Sequence, residues 1–262
     1  MGGFRFCVLG SSSEGNCTLV QVAGTTFLID AGFAGKKIRE MLGTLGIAPE
    51  QIDAVFITHE HCDHSKGVAG LAKFRNIKWF ASRGTSRKLA DKKVEWNIVV
   101  PAKSSTFDFK DIRVRAFSIP HDSQEAVAYI FEHDGEKLAW MSDCGKTTIQ
   151  SLDALQDVDI LFLESNYDLN LLRNSNRPYD LKERINSSHG HLSNEQCVQF
   201  LNDLPNTVLQ QLYFVHVSKE CNDLALVREL CGSAASAKWG SSLTVEVVNP
   251  SETMPANARR GF

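Results

Sequence analysis

Thr58-His59-Glu60-His61-Cys62-Asp63-His64 follows directly on the apolar run Ala54-Val55-Phe56-Ile57, and Ser65-Lys66 then opens a Gly/Ala/Leu segment with helical patterning. In an extended chain, residues two apart point to the same side, so His59 and His61 can share one ion. Where the chain turns toward the helix, Asp63 and His64 are redirected and can serve a second ion. The pattern predicts a dinuclear metal site at the exit of a strand. It is more demanding than a lone His-x-His. The plainer alternatives are a polar loop of solvated histidines or a structural zinc.

Composition narrows the setting. A chain of 262 residues with 43% hydrophobic residues can bury a substantial core. A net charge of −3 argues against a general nucleic-acid coat, although bound cations can supply the positive charge that a phosphate substrate needs. The first residues enter an alternating apolar pattern without a cleavage signal, and no apolar run is long enough to span a bilayer. Seven scattered cysteines without a Cys-x-x-Cys pair fit reduced thiols in a cytoplasmic protein. Cys62, Cys144 and Cys221 each neighbour a candidate ligand, which makes thiolate ligation an alternative to simple packing.

Outward from the motif, alternation predicts strands at 4–10, 16–23 and 25–32, the last two joined at Gly24. The intervening Gly10-Ser11-Ser12-Ser13-Glu14-Gly15-Asn16 reads as a loop whose N–H and hydroxyl groups could meet an anion, with Ser12, Ser13 and Asn16 as candidate substrate contacts. Asp30, at the tip of an apolar strand, could orient a metal-bound histidine. Helices are expected at 35–46, 66–75 and 83–93. The last carries Arg83, Arg87, Lys88, Lys92 and Lys93, either a solvated face or a patch for a polyanion. A run of strands from 94 to 142 ends one strand before His121 and another before Asp143, with Asp134-Gly135 suited to a hairpin turn. Buried strands then deliver Glu164 and His216, a capping box at Ser193 opens a helix at 194–203, and a helix at 222–232 and a strand at 243–248 follow. Ligands at strand ends imply a four-layer αββα sandwich of two mixed sheets flanked by helices, in one domain over 1–251, with a frayed tail at 252–262.

Taken together, Asp30, His59-x-His61-x-Asp63-His64, His121, Asp143 and His216 resemble the motif series of the metallo-β-lactamase superfamily. The resemblance implies that His59, His61 and His121 hold one metal, that Asp63, His64 and His216 hold the other, and that Asp143 bridges them. Asp143 stands where the best-known true β-lactamases have Cys, which argues for the hydrolase and nuclease branches. A narrower resemblance, to the YycJ/WalJ type associated with 5′-to-3′ exonuclease activity, rests on the Gly10–Asn16 stretch, Pro120-His121-Asp122, Gly190-His191-Leu192-Ser193-Asn194 and His216-Val217-Ser218-Lys219-Glu220-Cys221-Asn222. Glu164 and His191 match the placement of the Glu/His proton donor of the tRNA 3′-processing enzymes, with His189 as a spare.

The expected chemistry is hydrolysis by a water activated between two divalent ions, with Asp63 and Asp143 in the catalytic group and His191, oriented by Glu164, protonating the leaving alkoxide. Zinc suits the imidazole-rich site best and the carboxylate-rich one could take manganese, so the sequence leaves the choice between the two metals open. Nucleic acid, DNA or RNA, is the favoured substrate. A thioester or lactone hydrolase of glyoxalase-II type would use the same metal residues, and a non-catalytic metal-binding module is the third possibility. Oligomeric state is left open.

Overall fold

The structure is a computed structural model that describes residues 3–102 and 105–262. β1 (Arg5–Ser12), β2 (Gly15–Val22) and β3 (Thr25–Ile29) form an antiparallel meander, and β4 (Ala54–Phe56), β5 (Lys78–Ser82) and β6 (Trp96–Val99) extend the sheet in parallel from β3. In the second sheet, β7 (Thr106–Phe109), β8 (Ile112–Ser118), β9 (Val127–His133) and β10 (Glu136–Met141) are antiparallel neighbours. There β11 (Ile160–Glu164), β12 (Gln211–Val215) and β13 (Thr244–Val247) continue in parallel from β10. β14 (Arg259–Arg260) closes the outer edge of β1, so each sheet has 7 strands. Both sheets are mixed, as expected.

Helices cover both outer faces. On the first sheet lie α1 (Gly35–Thr44), α2 (Cys62–Ser65), α3 (Val68–Leu71) and α4 (Arg83–Lys88). Ile38, Met41 and Leu42 of α1 and Val68 and Leu71 of α3 pack there on Leu19, Leu28 and Val55. The second sheet carries α5 (Ile149–Leu155), and after α6 (Leu169–Asn174) and α7 (Tyr179–Ile185), whose Leu172 and Ile185 pack separately on Tyr167 and Cys221, it carries α8 (Asn194–Asp203), α9 (Leu224–Val227) and α10 (Ser233–Trp239). Leu155, Phe200, Leu201 and Ala235 pack against Leu161, Leu163 and Phe214. The capping box is present: Ser193 Oγ accepts from the Gln196 N–H, and Gln196 Oε1 accepts from the Ser193 N–H.

Between the sheets the filling is aromatic. Phe56 of β4 meets Phe27, Phe80, Tyr129 and Phe131 at ring separations of 5.4, 4.7, 5.6 and 5.0 Å. Such rings bury about 150–250 Å² each and favour offset or edge-on pairs. Because Phe56 stands three residues before His59, this packing fixes where the metal motif leaves the sheet. Tyr129 reaches across from β9 and donates its hydroxyl to the Ile57 carbonyl at 2.9 Å, so the second sheet also grips that exit.

Several elements differ from expectation. The helix placed at 66–75 is two short turns, α2 and α3, and the first starts inside the motif at Cys62. The helix placed at 83–93 ends at Lys88 and gives way to a tighter turn, Ala90–Lys92, with Lys93 left-handed at φ 57°. The helix expected to stop at 232 runs on through a wide π-helical turn, Arg228–Gly232, into α10. The tail at 252–262 is not frayed. Its Ala258 is buried, Val8 N–H donates to the Ala258 carbonyl at 3.0 Å, and Arg259 and Arg260 pair with Cys7 and Phe6. The physical reason is the edge of β1, whose unpaired N–H and C=O groups the returning chain satisfies.

Candidate metal centre

All of the chemically active side chains but His191, which precedes α8, sit at or just past the C-terminal end of a strand: the 59–64 motif after β4, His121 after β8, Asp143 after β10, Glu164 on β11 and His216 after β12. The first comes from one sheet and the others from the second, so the site lies along one edge of the sandwich. Asp30, Asp143 and His216 all have left-handed backbones, with φ of 59°, 56° and 54°. That conformation costs roughly 1–3 kcal/mol and persists only where surrounding contacts impose it. At His216 one such contact is its N–H donating to Ser11 Oγ at 2.9 Å.

The donors gather into groups whose ligand atoms lie within 4.8 Å of one another: His59, His61 and His121; Asp63, His64 and His216; and His59, His64 and Asp143. The structure brings together the residues of each triad that the family resemblance implies, and Asp143 lies near members of both. A further group unites Asp143, Glu164, His191 and His216. Among the described residues, no cysteine joins these groups. The thiol of Cys144 faces away and donates to the Lys146 carbonyl.

Behind the donors stands a layer of orienting groups. Asp30 Oδ2 is 2.7 Å from His64 Nδ1, and its carboxylate also accepts from the Thr58 N–H and hydroxyl at 2.8 and 3.0 Å. The Thr58 oxygen is in turn 3.1 Å from His59 Nδ1. His121 Nδ1 is bonded to the Gly190 carbonyl at 3.1 Å. Each contact occupies Nδ1 and leaves Nε2 for the centre. Glu164 Oε1 is 2.8 Å from His191 Nδ1 and 2.9 Å from His216 Nδ1, while Oε2 accepts the N–H groups of Cys144 and Leu192. The carboxylate is fully buried and acts only through the two imidazoles.

The carboxylates and imidazoles of the cluster shift one another's proton affinities. Burial opposes a charge on His64 and His216, but the carboxylates around them prevail. Asp143, Asp30 and Asp63 hold His64 well above the usual imidazole range, and Asp143, Asp63 and Glu164 hold His216 up to about 10. His59 goes the other way, pushed well below its usual value by burial and then by the imidazoles of His64, His121 and His61. Asp143 stays below the ordinary carboxylate range despite burial because His216 and His64 face it.

Nε2 of His59, Nε2 of His216 and Oδ2 of Asp143 are buried without a hydrogen bond among the described residues. Burying such atoms without a hydrogen bond is costly, so cations that these donors can coordinate, one at each triad, are the fitting occupants. Imidazole nitrogens and carboxylate oxygens are the donors that a borderline divalent ion accepts.

A family model described as the β-lactamase superfamily domain matches residues 25–217. The chain belongs to the metallo-β-lactamase superfamily. This superfamily fold implies divalent metal ions and makes the chain a metal-dependent hydrolase by family. Along 255 residues it is 30% identical to the exodeoxyribonuclease WalJ of Streptococcus pneumoniae, covering 95% of each chain. It is 27% identical over 262 residues to the exodeoxyribonuclease YycJ of Bacillus anthracis, covering 97% of each. The crystal structure of the metallo-β-lactamase fold protein YhfI from Bacillus subtilis superposes with a TM-score of 0.72 at 13% identity, over 95% of this chain and 98% of that one.

As in a superfamily hydrolase, the donors open onto a cleft, here of about 190 Å³, lined by Ser13, His61, Asp63, Asp143 and His191 together with Arg177 and Arg184. The two arginines were not singled out by sequence. They lie in the polar 168–192 segment, where spacing gave no sign that α7 folds over the site. Arg184 pairs with Asp122, the neighbour of His121, and Arg177 with Glu220 at 2.9 Å.

Of the three candidate substrate contacts, only Ser13 is exposed on this cleft. Ser12 and Asn16, expected as substrate contacts, do not line it. β1 and β2 run on to Ser12 and Gly15, leaving only Ser13-Glu14 as the turn, so both residues are buried. Asn16 Nδ2 instead stands 3.0 Å from His64 Nε2 and bonds the Ser12 carbonyl. It meets the donor cluster at the ring nitrogen of His64 that faces the centre. Gly32 lies in the same wall, where a Cβ would fall 1.7 Å from the Asp63 carbonyl oxygen, so the strand end and the metal loop can touch only without a side chain.

Proposed function

We propose that the chain is a dinuclear phosphodiesterase that degrades DNA strands exonucleolytically, 5′ to 3′, in the cytoplasm. In this reading His59, His61 and His121 would hold one zinc or manganese ion and Asp63, His64 and His216 the second, with Asp143 a ligand available to both. When bound, the two cations supply Lewis acidity toward phosphate oxygens and toward the attacking water.

The protein's own residues do the remaining work. Arg184 and Arg177 carry positive charge into the cleft for the flanking phosphates. Glu164, an acceptor only when ionised, requires His191 to carry a proton on Nδ1. That leaves the His191 Nε2 for the cleft the ring lines, and the doubly protonated ring passes its Nε2 proton to the departing oxygen, ending as the neutral imidazole with its remaining proton on Nδ1 toward Glu164. The Glu164–His191 contact carries the proposal. An alkoxide is a poor leaving group and needs such a proton, whereas a thiolate does not. The names of the two relatives that match almost end to end support the same substrate class. Seven free cysteines, and the absence among the described residues of a helix able to cross a membrane, support the compartment.

The test is metal analysis of the purified protein, with turnover assays on 5′-phosphorylated single- and double-stranded DNA, RNA, bis-p-nitrophenyl phosphate, a thioester and a cephalosporin. DNA shortened from its 5′ end is the expected result. Hydrolysis of the thioester alone overturns it.

A further inference from the structure

A second, larger pocket of about 490 Å³ lies where α4 faces the end of β6. Its walls carry Arg83, Arg87 and Lys88, and its floor includes Ile98 and Val100, which are 42% and 56% exposed. None of the three cations forms an ion pair among the described residues. The one carboxylate in the lining, Glu125, accepts the Gly84 N–H at 2.7 Å. In a chain of net charge −3, three unpaired cations around one concavity are a local reversal of sign.

Hydrogen bonds tie the pocket to the metal loop. Glu60, between His59 and His61, accepts the Gln124 N–H at 2.8 Å through one carboxylate oxygen and the Thr85 hydroxyl at 3.3 Å through the other. Ser82 Oγ, which caps α4, donates to the Glu125 carbonyl at 2.7 Å. The helix bearing the cations is thereby pinned to the loop that follows His121. His121 and Gln124 are three residues apart, no more than about 11 Å along the chain. Along one strand of a duplex that is the rise of about three nucleotides, at about 3.4 Å each.

We infer that this pocket binds the sugar–phosphate backbone of a DNA strand a few nucleotides away from the bond being hydrolysed. This rests on the nuclease reading above and adds the place where the strand is gripped. The described lining contains no aromatic ring, so the grip is on phosphates and sugars, independent of sequence, with Ile98 and Val100 meeting the apolar faces of the sugars.

The test compares the wild-type protein with a triple Arg83→Ala/Arg87→Ala/Lys88→Ala variant and with single Arg87→Glu and Arg87→Lys variants, which keep the question answerable should the triple variant misfold. Affinity for a long 5′-phosphorylated single strand is measured by fluorescence anisotropy across a salt series, and the ratio of turnover on that strand to turnover on a dinucleotide is recorded. Removing three phosphate contacts is expected to weaken strand binding at least about tenfold and to flatten the log–log salt slope by about 2. The turnover ratio falls in parallel, Arg87→Glu weakens binding, and Arg87→Lys retains most of it. Wild-type affinity and slope in the triple variant overturn the inference, as does an equal loss on strand and dinucleotide, which would place the effect in the cleft. Tighter binding of polyglutamate than of the strand also overturns it, in favour of an acidic polypeptide. Strand binding that depends on these residues in a protein that cleaves no DNA would sink the exonuclease reading and leave the pocket standing.

Discussion

Asp30 Oδ2 and His64 Nδ1 are 2.7 Å apart, and both side chains are fully buried. The same carboxylate reaches His59 through the Thr58 hydroxyl, so one residue orients a donor in each triad. Asp30→Asn puts an NH₂ group where either His64 or Thr58 now finds an acceptor. Orienting partners of this kind are typically worth 10–100-fold in metal affinity. A loss of about that size is expected at both sites in a chelator competition titration, and unchanged affinity would show that the donors hold their geometry without Asp30.

Glu164 is bonded to both His191 and His216, yet the two histidines are expected to fail differently. His191→Ala should leave metal content intact and lower turnover by about 10²–10⁴, the usual range for a lost general acid. Glu164→Gln should reduce both, because one face of the new amide presents N–H groups either to the imidazole Nδ1 atoms or to the N–H groups of Cys144 and Leu192. Metal-free protein after His191→Ala would make His191 a ligand within its cluster with Asp143, Glu164 and His216.

Phe56 couples the core to the site. Phe56→Ala removes a ring that five aromatic neighbours surround, and such truncations cost about 3–5 kcal/mol. Denaturant unfolding of the metal-free protein is expected to show that loss. A cost under about 1 kcal/mol would mean that the strand leading to the motif does not depend on the inter-sheet packing.

How far the site could be read from the sequence follows from where its residues lie. His59, His61, Asp63 and His64 are close in sequence, and His121, Asp143 and His216 each follow an apolar strand, so a two-residue or strand-end rule finds them. Asp30 was legible for the same reason. Asn16 was misread because a Gly/Ser-rich stretch looks like a loop, whereas its glycines make room for a ring: a Cβ on Gly10 or Gly15 would fall within 2.6 Å of Phe33. Arg177 and Arg184 depend on how α7 folds back over the cleft, and β14 on an unpaired edge more than 250 positions away in sequence. Neither relation leaves a local pattern.

Cys62 stands between two ligands, His61 and Asp63, yet it is the one exposed cysteine, and burial pushes others such as Cys7 up to about 11. One thiol is therefore expected to react with maleimide in the native protein and seven in denaturant. Cys62→Ser should abolish the native reaction and keep metal content unchanged. Loss of metal in that variant would restore the thiolate ligand that the donor geometry leaves out.

The proton load of the metal-free centre sets its pH dependence. Burial disfavours a charged His216, but Asp143, Asp63 and Glu164 hold it up to about 10, against 6.5 for an ordinary imidazole. His64 is raised in the same sense by Asp143, Asp30 and Asp63. A base whose value is raised by folding contributes stability that is complete below the unfolded value and is lost as pH rises through the folded one. The Tm of the metal-free protein is therefore expected to fall between pH 6.5 and about 10. His59 does not offset this, because its depressed value costs stability only on the acid side of 6.5. A divalent ion at these nitrogens replaces the protons, so binding should release protons and tighten as pH rises through the same window. Calorimetric titration with zinc in buffers of different ionisation enthalpy measures that release directly. A Tm independent of pH across the window, with no protons released, would mean that both imidazoles are already neutral and that the surrounding carboxylates do not act as described.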